Sequence, residues 1–226
     1  AGKDVYSEKP CALTIEEGRM LANTVKRYGR VYQAGTQQRS EYEGKFRRAY
    51  ELVRNGYIGT LKEIYAFRPG GGFSPNLQGA DALPLPVPED LNWDIFVGPG
   101  PWVPFTGGNA HCGLFAYGDP NWGPHHYDAV QWILEDDCPG PVHLDYQDDH
   151  AVMRFPNGVV VHGCPCPEGG VGAVGGARYI GTEGYVAVDR EAITANPASI
   201  LDVELKPDDI RAYPSKSHAG NFLECV

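Results

Sequence analysis

Two stretches of the chain carry residue types that could do chemistry. The first is Tyr6-Ser7-Glu8-Lys9-Pro10, and the second is Asn121-Trp122-Gly123-Pro124-His125-His126-Tyr127-Asp128. Pro10 fixes the chain direction and keeps Lys9 out of the helical region. Lys9 therefore sits in a turn, where an ammonium can act as acid, base or donor to a substrate oxygen. A surface lysine pairing with Glu8 is the ordinary reading of the same residue. His125 and Asp128 are three positions apart and share a face if a helix begins there. A carboxylate beside an imidazole fixes its tautomer and raises its basicity, which suits proton transfer. The same segment also reads as a helix N-terminus whose polar side chains cap free amides, so the catalytic and structural readings stand together. A metal reading lacks the i, i+4 histidine pair of the helical zinc motif. Cys164-Pro165-Cys166 is a lone C-x-C without two further ligands at recognisable spacing. No metal is expected.

The elements that would position these residues follow from periodicity and punctuation. Asp4-Val5-Tyr6 predicts a short strand. Thr14 with Glu17 is a capping box, and Gly18, Leu21, Val25 and Tyr28 then share one helix face, closed by Gly29 as a left-handed cap. Arg30–Ala34 predicts a strand, Gly35-Thr36-Gln37-Gln38-Arg39 a polar loop after its carboxyl end, and Glu41–Arg54 a second helix with Tyr42, Phe46, Ala49, Tyr50 and Val53 on one face. Strand, helix, strand, loop and helix is the pattern of a parallel α/β sheet, whose ligands sit at the carboxyl ends of the strands. Both Ser7–Pro10 and Gly35–Arg39 fall there.

The texture changes near residue 60. Leu61–Phe67 predicts a strand, and residues 69–124 are rich in Pro and Gly with embedded aromatics, a length that is functional or wraps a partner in most compact domains. A helix from Pro124 to Leu134 follows, with Pro at its first position. Strands are expected at Val142–Tyr146, Ala151–Phe155, Val159–His162, Arg178–Ile180 and Tyr185–Val188. Asn157-Gly158 marks a hairpin, and Gly181-Thr182-Glu183-Gly184 a turn. Runs of strands without intervening helices indicate a largely antiparallel sheet. Gly169–Gly176 is a glycine-dense loop in neither the G-x-G-x-x-G nor the P-loop pattern. The expected fold class is thus α/β followed by α+β with a large, mostly antiparallel open sheet.

Composition bounds the partners. The 226 residues carry a formal charge of −10 with no basic cluster, which argues against nucleic acid. No apolar run is long enough for a membrane span. Gly (29) and Pro (19) exceed average usage without forming a repeat, and 42% of residues are apolar, enough for a real core. Six scattered cysteines (Cys11, Cys112, Cys138, Cys164, Cys166, Cys225) fit thiols in a reducing compartment better than a disulfide framework, and a cytoplasmic setting is expected. The chain enters a strand at once and stops inside an amphipathic turn at Asn221–Val226. Two parallel strands alone cannot be covered on both faces, so a fragment of a longer protein is expected.

The segment Gly2–Pro10, followed by Ala12-Leu13-Thr14 and Glu16-Glu17, resembles the E-K-P segment of the glucose–fructose oxidoreductase / inositol dehydrogenase / MocA (Gfo/Idh/MocA) family. Gly35–Arg39 is similar to the family's next loop, and Trp122–Asp128 with Gln131-Trp132 to its G-x-H-x-x-D signature. Leu91–Asp94, Gly98-Pro99 and Gly181–Gly184 resemble a bacterial subgroup with a long aromatic loop. The resemblance implies an oxidoreductase using NAD or NADP on a sugar, cyclitol or related polyol. It implies residues 1–60 as the C-terminal part of a Rossmann dinucleotide-binding domain. Residues 61–226 would form a substrate-binding and oligomerisation domain, assembling as a homo-oligomer through the open sheet. Lys9, His125 and Asp128 would then be catalytic, with Asp128 orienting His125 or binding substrate. Glu8, Lys9, Pro10, Gln37 and Arg39 would lie at the cofactor, and Asn121, Trp122 and His126 at the substrate. Two departures stand out: no pyrophosphate-binding glycine loop occurs in the chain, and Asn121 occupies a position where the family often has Asp. An NAD-assisted glycoside hydrolase of the same family and a non-catalytic sugar-binding or assembly module are the alternatives.

Overall fold

The computed structural model describes residues 2–12, 14–66, 83–98, 102–107, 122–134, 138, 140–148, 150–172 and 175–226. Asn121, Cys112, Phe67 and most of the Pro/Gly-rich stretch fall outside them.

Strand β1 (Val5–Ser7) pairs in parallel with β2 (Tyr32–Ala34), and α1 (Ile15–Tyr28) connects them. The capping box forms as the sequence requires: Glu17 N donates to Thr14 Oγ1 and Thr14 N to Glu17 Oε2, each at 3.1 Å. Gly29 closes the helix at φ 56°. After a short 3-10 turn at Gln37–Arg39, α2 spans Lys45–Arg54. It starts later than the periodicity implies. Tyr42, Glu43 and Gly44 all take positive φ, and three left-handed residues in a row cannot continue a right-handed helix.

Strand β3 (Leu61–Ala66) is the centre of a seven-stranded sheet. Its other members are β4 (His143–Gln147), β5 (His150–Arg154), β6 (Val160–His162), β7 (Ala177–Gly181), β8 (Tyr185–Val188) and β9 (Ile193–Asn196). The order is β4-β5-β6-β3-β7-β8-β9, antiparallel throughout except for β3 with β6. The sheet thus has the open, mostly antiparallel form expected of it. Asn157 and Gly158 turn β5 into β6, and Gly181–Gly184 turns β7 into β8. Strand β9 carries alternating half-buried and exposed positions and lacks a sequence signal strong enough to have been expected.

One face of this sheet carries Ile64, Val161, Tyr179, Val186 and Val188, which pack with Phe46, Leu52 and Val53 of α2 and with Ala129, Val130 and Ile133 of α4 (Gly123–Leu134). The core therefore runs across residue 60, with α2 on one side of that point and the sheet on the other. Among residues 83–107, α3 (Trp93–Val97) builds a separate small cluster with Phe105, anchored by Trp93 Nε1 donating to Val103 O. The extended stretch after β9 returns along α2: Arg48 donates to the carbonyls of Leu201 and Val203, and Asn55 Nδ2 to that of Ile210. It ends in α5 (His218–Cys225), whose first residue bonds to β2 through Gln33 Nε2 and Ala34 O. Among the described residues no helix is long and apolar enough to cross a membrane.

Candidate active site

Lys9 and Gln37 stand at the carboxyl ends of the two parallel strands, and a close approach holds those ends together. Gln37 Nε2 donates to Glu8 Oε1 at 3.1 Å. A Cβ on Gly35 would overlap the Glu8 side chain and backbone, so only glycine lets the two loops meet here. Lys9 is half-buried, and its peptide bond to Pro10 is cis.

Helix α4 enters from the other side. Its first turn buries His125 and His126, at 5% and 2% exposure. The 3-10 turn at Gln37–Arg39 points Gln38 inward, fully buried, with Oε1 at 3.0 Å from His125 Nδ1. An amide oxygen can only accept. The Nδ1 atom therefore carries the proton, and Nε2 keeps its lone pair.

This revises one sequence expectation. Asp128 does share the helix turn with His125, but its carboxylate faces Arg39. The Arg39 fork spans it, Nε to Oδ2 at 2.8 Å and Nη2 to Oδ1 at 2.7 Å. The guanidinium also lies over the Trp132 ring, which stacks on Tyr50. Gln38 orients the imidazole by hydrogen bond, while Asp128 bears on it through space. Arg39, expected at the cofactor, is committed to tying the 3-10 turn to α4. A bidentate pair fixes position and orientation together, so the clamp sets where Gln38 meets His125.

Burial, aided by nearby positive charge, keeps both histidines neutral. Burial lowers the pKa of His125 to about 4, helped by the positive charges of Arg190 and Lys9 and opposed by Glu8 and Asp128. Burial with the neighbouring His125 and Arg190 lowers that of His126 to about 3. His126 lies parallel to Trp122, and neither of its ring nitrogens has a hydrogen-bond partner among the described residues. Trp122 thus does lie beside both imidazoles. Asn121 lies outside the described residues.

The structure adds three residues that the sequence did not mark. Gln38 adjoins two residues that were singled out, but which of the two adjacent glutamines turns inward depends on the 3-10 turn. Tyr42 falls on the helix face that the periodicity predicts. Arg190, in the turn between β8 and β9, carries no motif, yet its guanidinium lies between the Tyr42 and Trp122 rings, 4.8 and 4.7 Å from their centroids. Among the described residues no group of three or more His, Cys, Asp or Glu is placed to hold a metal. Cys138 and Cys166 are buried free thiols.

No protein-family model matches the chain, and no curated protein matches it by sequence. Solved structures do match by fold. An oxidoreductase from Thermotoga maritima superimposes with a TM-score of 0.53 at 16% identity, over 98% of this chain and 59% of the other. An aldose-aldose oxidoreductase from Caulobacter crescentus, complexed with glycerol, gives 0.52 at 16% identity, over 99% and 62%. A myo-inositol 2-dehydrogenase from Lactobacillus plantarum gives 0.46 at 18% identity, over 98% and 59%. The chain spans about three-fifths of the length of these structures. At such identities the likeness of the first two carries the fold.

Proposed function

We propose that this chain supplies the acid–base and substrate-binding part of an NAD(P)-dependent oxidoreductase of the Gfo/Idh/MocA type. It would oxidise a hydroxyl of a sugar, cyclitol or related polyol. The observation that carries the reading is His125: buried, neutral, held by Gln38 in the tautomer that leaves Nε2 able to accept a proton, and within the field of the Lys9 charge.

Lys9 donates to the reacting oxygen and stabilises negative charge as its proton leaves. His125 Nε2 takes that proton. Arg39 and Asp128 act on neither atom; they hold the Gln38 turn against α4 so that the imidazole keeps its orientation. Trp122 and His126 wall the substrate side, and Asn121 is assigned there with them.

The cofactor fits the donor set at the strand ends. Glu8, Lys9, Pro10 and Gln37 offer an ammonium, an amide and a carboxylate, which suit the carboxamide and ribose hydroxyls of a nicotinamide nucleotide. A nicotinamide held there would supply the hydride acceptor. In this reading residues 1–60 close a dinucleotide-binding unit, with α2 lending its apolar side to the sheet that follows. The open sheet edge at β4, exposed along its whole length with Leu144 and Tyr146 outward, supports assembly of copies through that sheet.

The test is reduction of NAD or NADP by the full-length protein on a panel of sugars and polyols. Lys9→Ala and His125→Ala should each lower turnover about 10²–10⁴-fold, with cofactor binding retained in His125→Ala. No reduced cofactor on any substrate, or wild-type turnover in both variants, would overturn the reading.

A further inference from the structure

Arg190 has a geometry that the proton transfer does not use. Its guanidinium carbon lies over both the Tyr42 and the Trp122 ring. A guanidinium carries five N–H donors along the edge of its plane, and two flanking ring faces offer that edge no carboxylate or carbonyl to pair with. No hydrogen bond or ion pair among the described residues engages this edge, and the buried Nε has no partner. The adjacent carboxylate does not serve. Asp189 accepts instead from the backbone N–H groups of Gly172, Glu191 and Ala192. Tyr42 itself sits at φ 59°, a conformation rare for a bulky residue and one that tends to collect at binding sites.

A guanidinium placed this way, acting with Lys9 on the neutral His125, is a fork without its anion. We propose that Arg190 is a specificity residue for the reaction proposed above, and that the sugar or polyol it selects bears an anionic group, a carboxylate or a phosphate, received by the Arg190 fork. The inference rests on the oxidoreductase reading for the reaction but not for the binding. Carboxylate and phosphate both match the fork. A negative group on Arg190 would also offset the positive field at His125 and raise its proton affinity once substrate is in place. The substrate would then tune the base that deprotonates it.

Calorimetric titration of the full-length protein with glucuronate, glucose 6-phosphate and glucose tests this without any need for turnover. Binding of one acidic sugar should be at least about 10-fold tighter than glucose, and weaker at raised salt. Preference for glucuronate identifies a carboxylate, and preference for glucose 6-phosphate a phosphate. Arg190→Gln should remove the preference while leaving glucose affinity within about 2-fold. Arg190→Lys keeps a cation between the rings and guards against a folding defect; it should retain part of the preference. Binding of neither acidic sugar, affinity for glucose equal to both, or an equal loss for all three ligands in Arg190→Gln would overturn the proposal. Selective binding without reduction of NAD(P) would instead count against the oxidoreductase reading alone.

Discussion

Helices α1 and α2 are both amphipathic and both follow a glycine-bounded design, yet they are used in opposite ways. Helix α2 buries Phe46, Ala49, Tyr50, Leu52 and Val53, while α1 buries no residue at all. Leu21, Val25 and Tyr28 of α1 line a groove of about 380 Å³ with Val5 and Val31. Nothing among the described residues fills it. Stability in the molecule comes from the sheet and its two covering helices, whereas the β1–α1–β2 unit holds its shape by caps and a few backbone bonds. The candidate site straddles the two, with Lys9 from the loosely packed unit and His125 from the tightly packed one.

Core truncation should expose that contrast most strongly. Leu52→Ala removes a fully buried side chain and should cost about 2–5 kcal/mol in urea unfolding. Leu21→Ala, already half-open to solvent, should cost about 1 kcal/mol or less. Equal losses would break the comparison. Acid should act on the packed side next. Below about pH 6.5 an unfolded histidine takes up a proton, while His125 and His126 stay neutral in the folded state down to about 4 and about 3. The unfolded state then binds more protons, so stability falls as pH drops from 6.5 toward 4. His126→Gln should flatten the fall, measured as unfolding midpoint against pH. The smallest effect belongs to α1. Thr14→Ala loses half of the capping box and should cost about 1 kcal/mol, seen as faster amide exchange confined to α1. Loss of protection in the sheet as well would mean that the two regions are more tightly coupled than their packing implies.

The candidate site was legible in the sequence wherever local rules place a residue. Lys9 could be put at a strand end because Pro10 and the strand pattern act within a few positions, and His125 at a helix start because Pro124 marks one. The partner of His125 was not legible. Spacing on a helix pointed to Asp128, but that carboxylate is taken by Arg39, delivered from another element with two matched donors, and His125 is left to Gln38. The start of α2 differs for a similar reason: Tyr42 and Glu43 have side chains that fit a helix, and the left-handed backbone they take leaves no mark in that pattern.

By itself the sequence determined the capping box and Gly29 stop of α1, the turns at Asn157-Gly158 and Gly181–Gly184, and the open, mostly antiparallel character of the sheet. All of these follow from interactions among near neighbours or from strand periodicity. Only the tertiary structure decided that Gln38 holds His125, that Arg39 and Asp128 clamp the turn to the helix, and that Arg190 stands between Tyr42 and Trp122. Those pairings join residues from 68 to 148 positions apart or more than one element away. They depend on how helices cross a sheet, and no local pattern in the chain encodes that crossing.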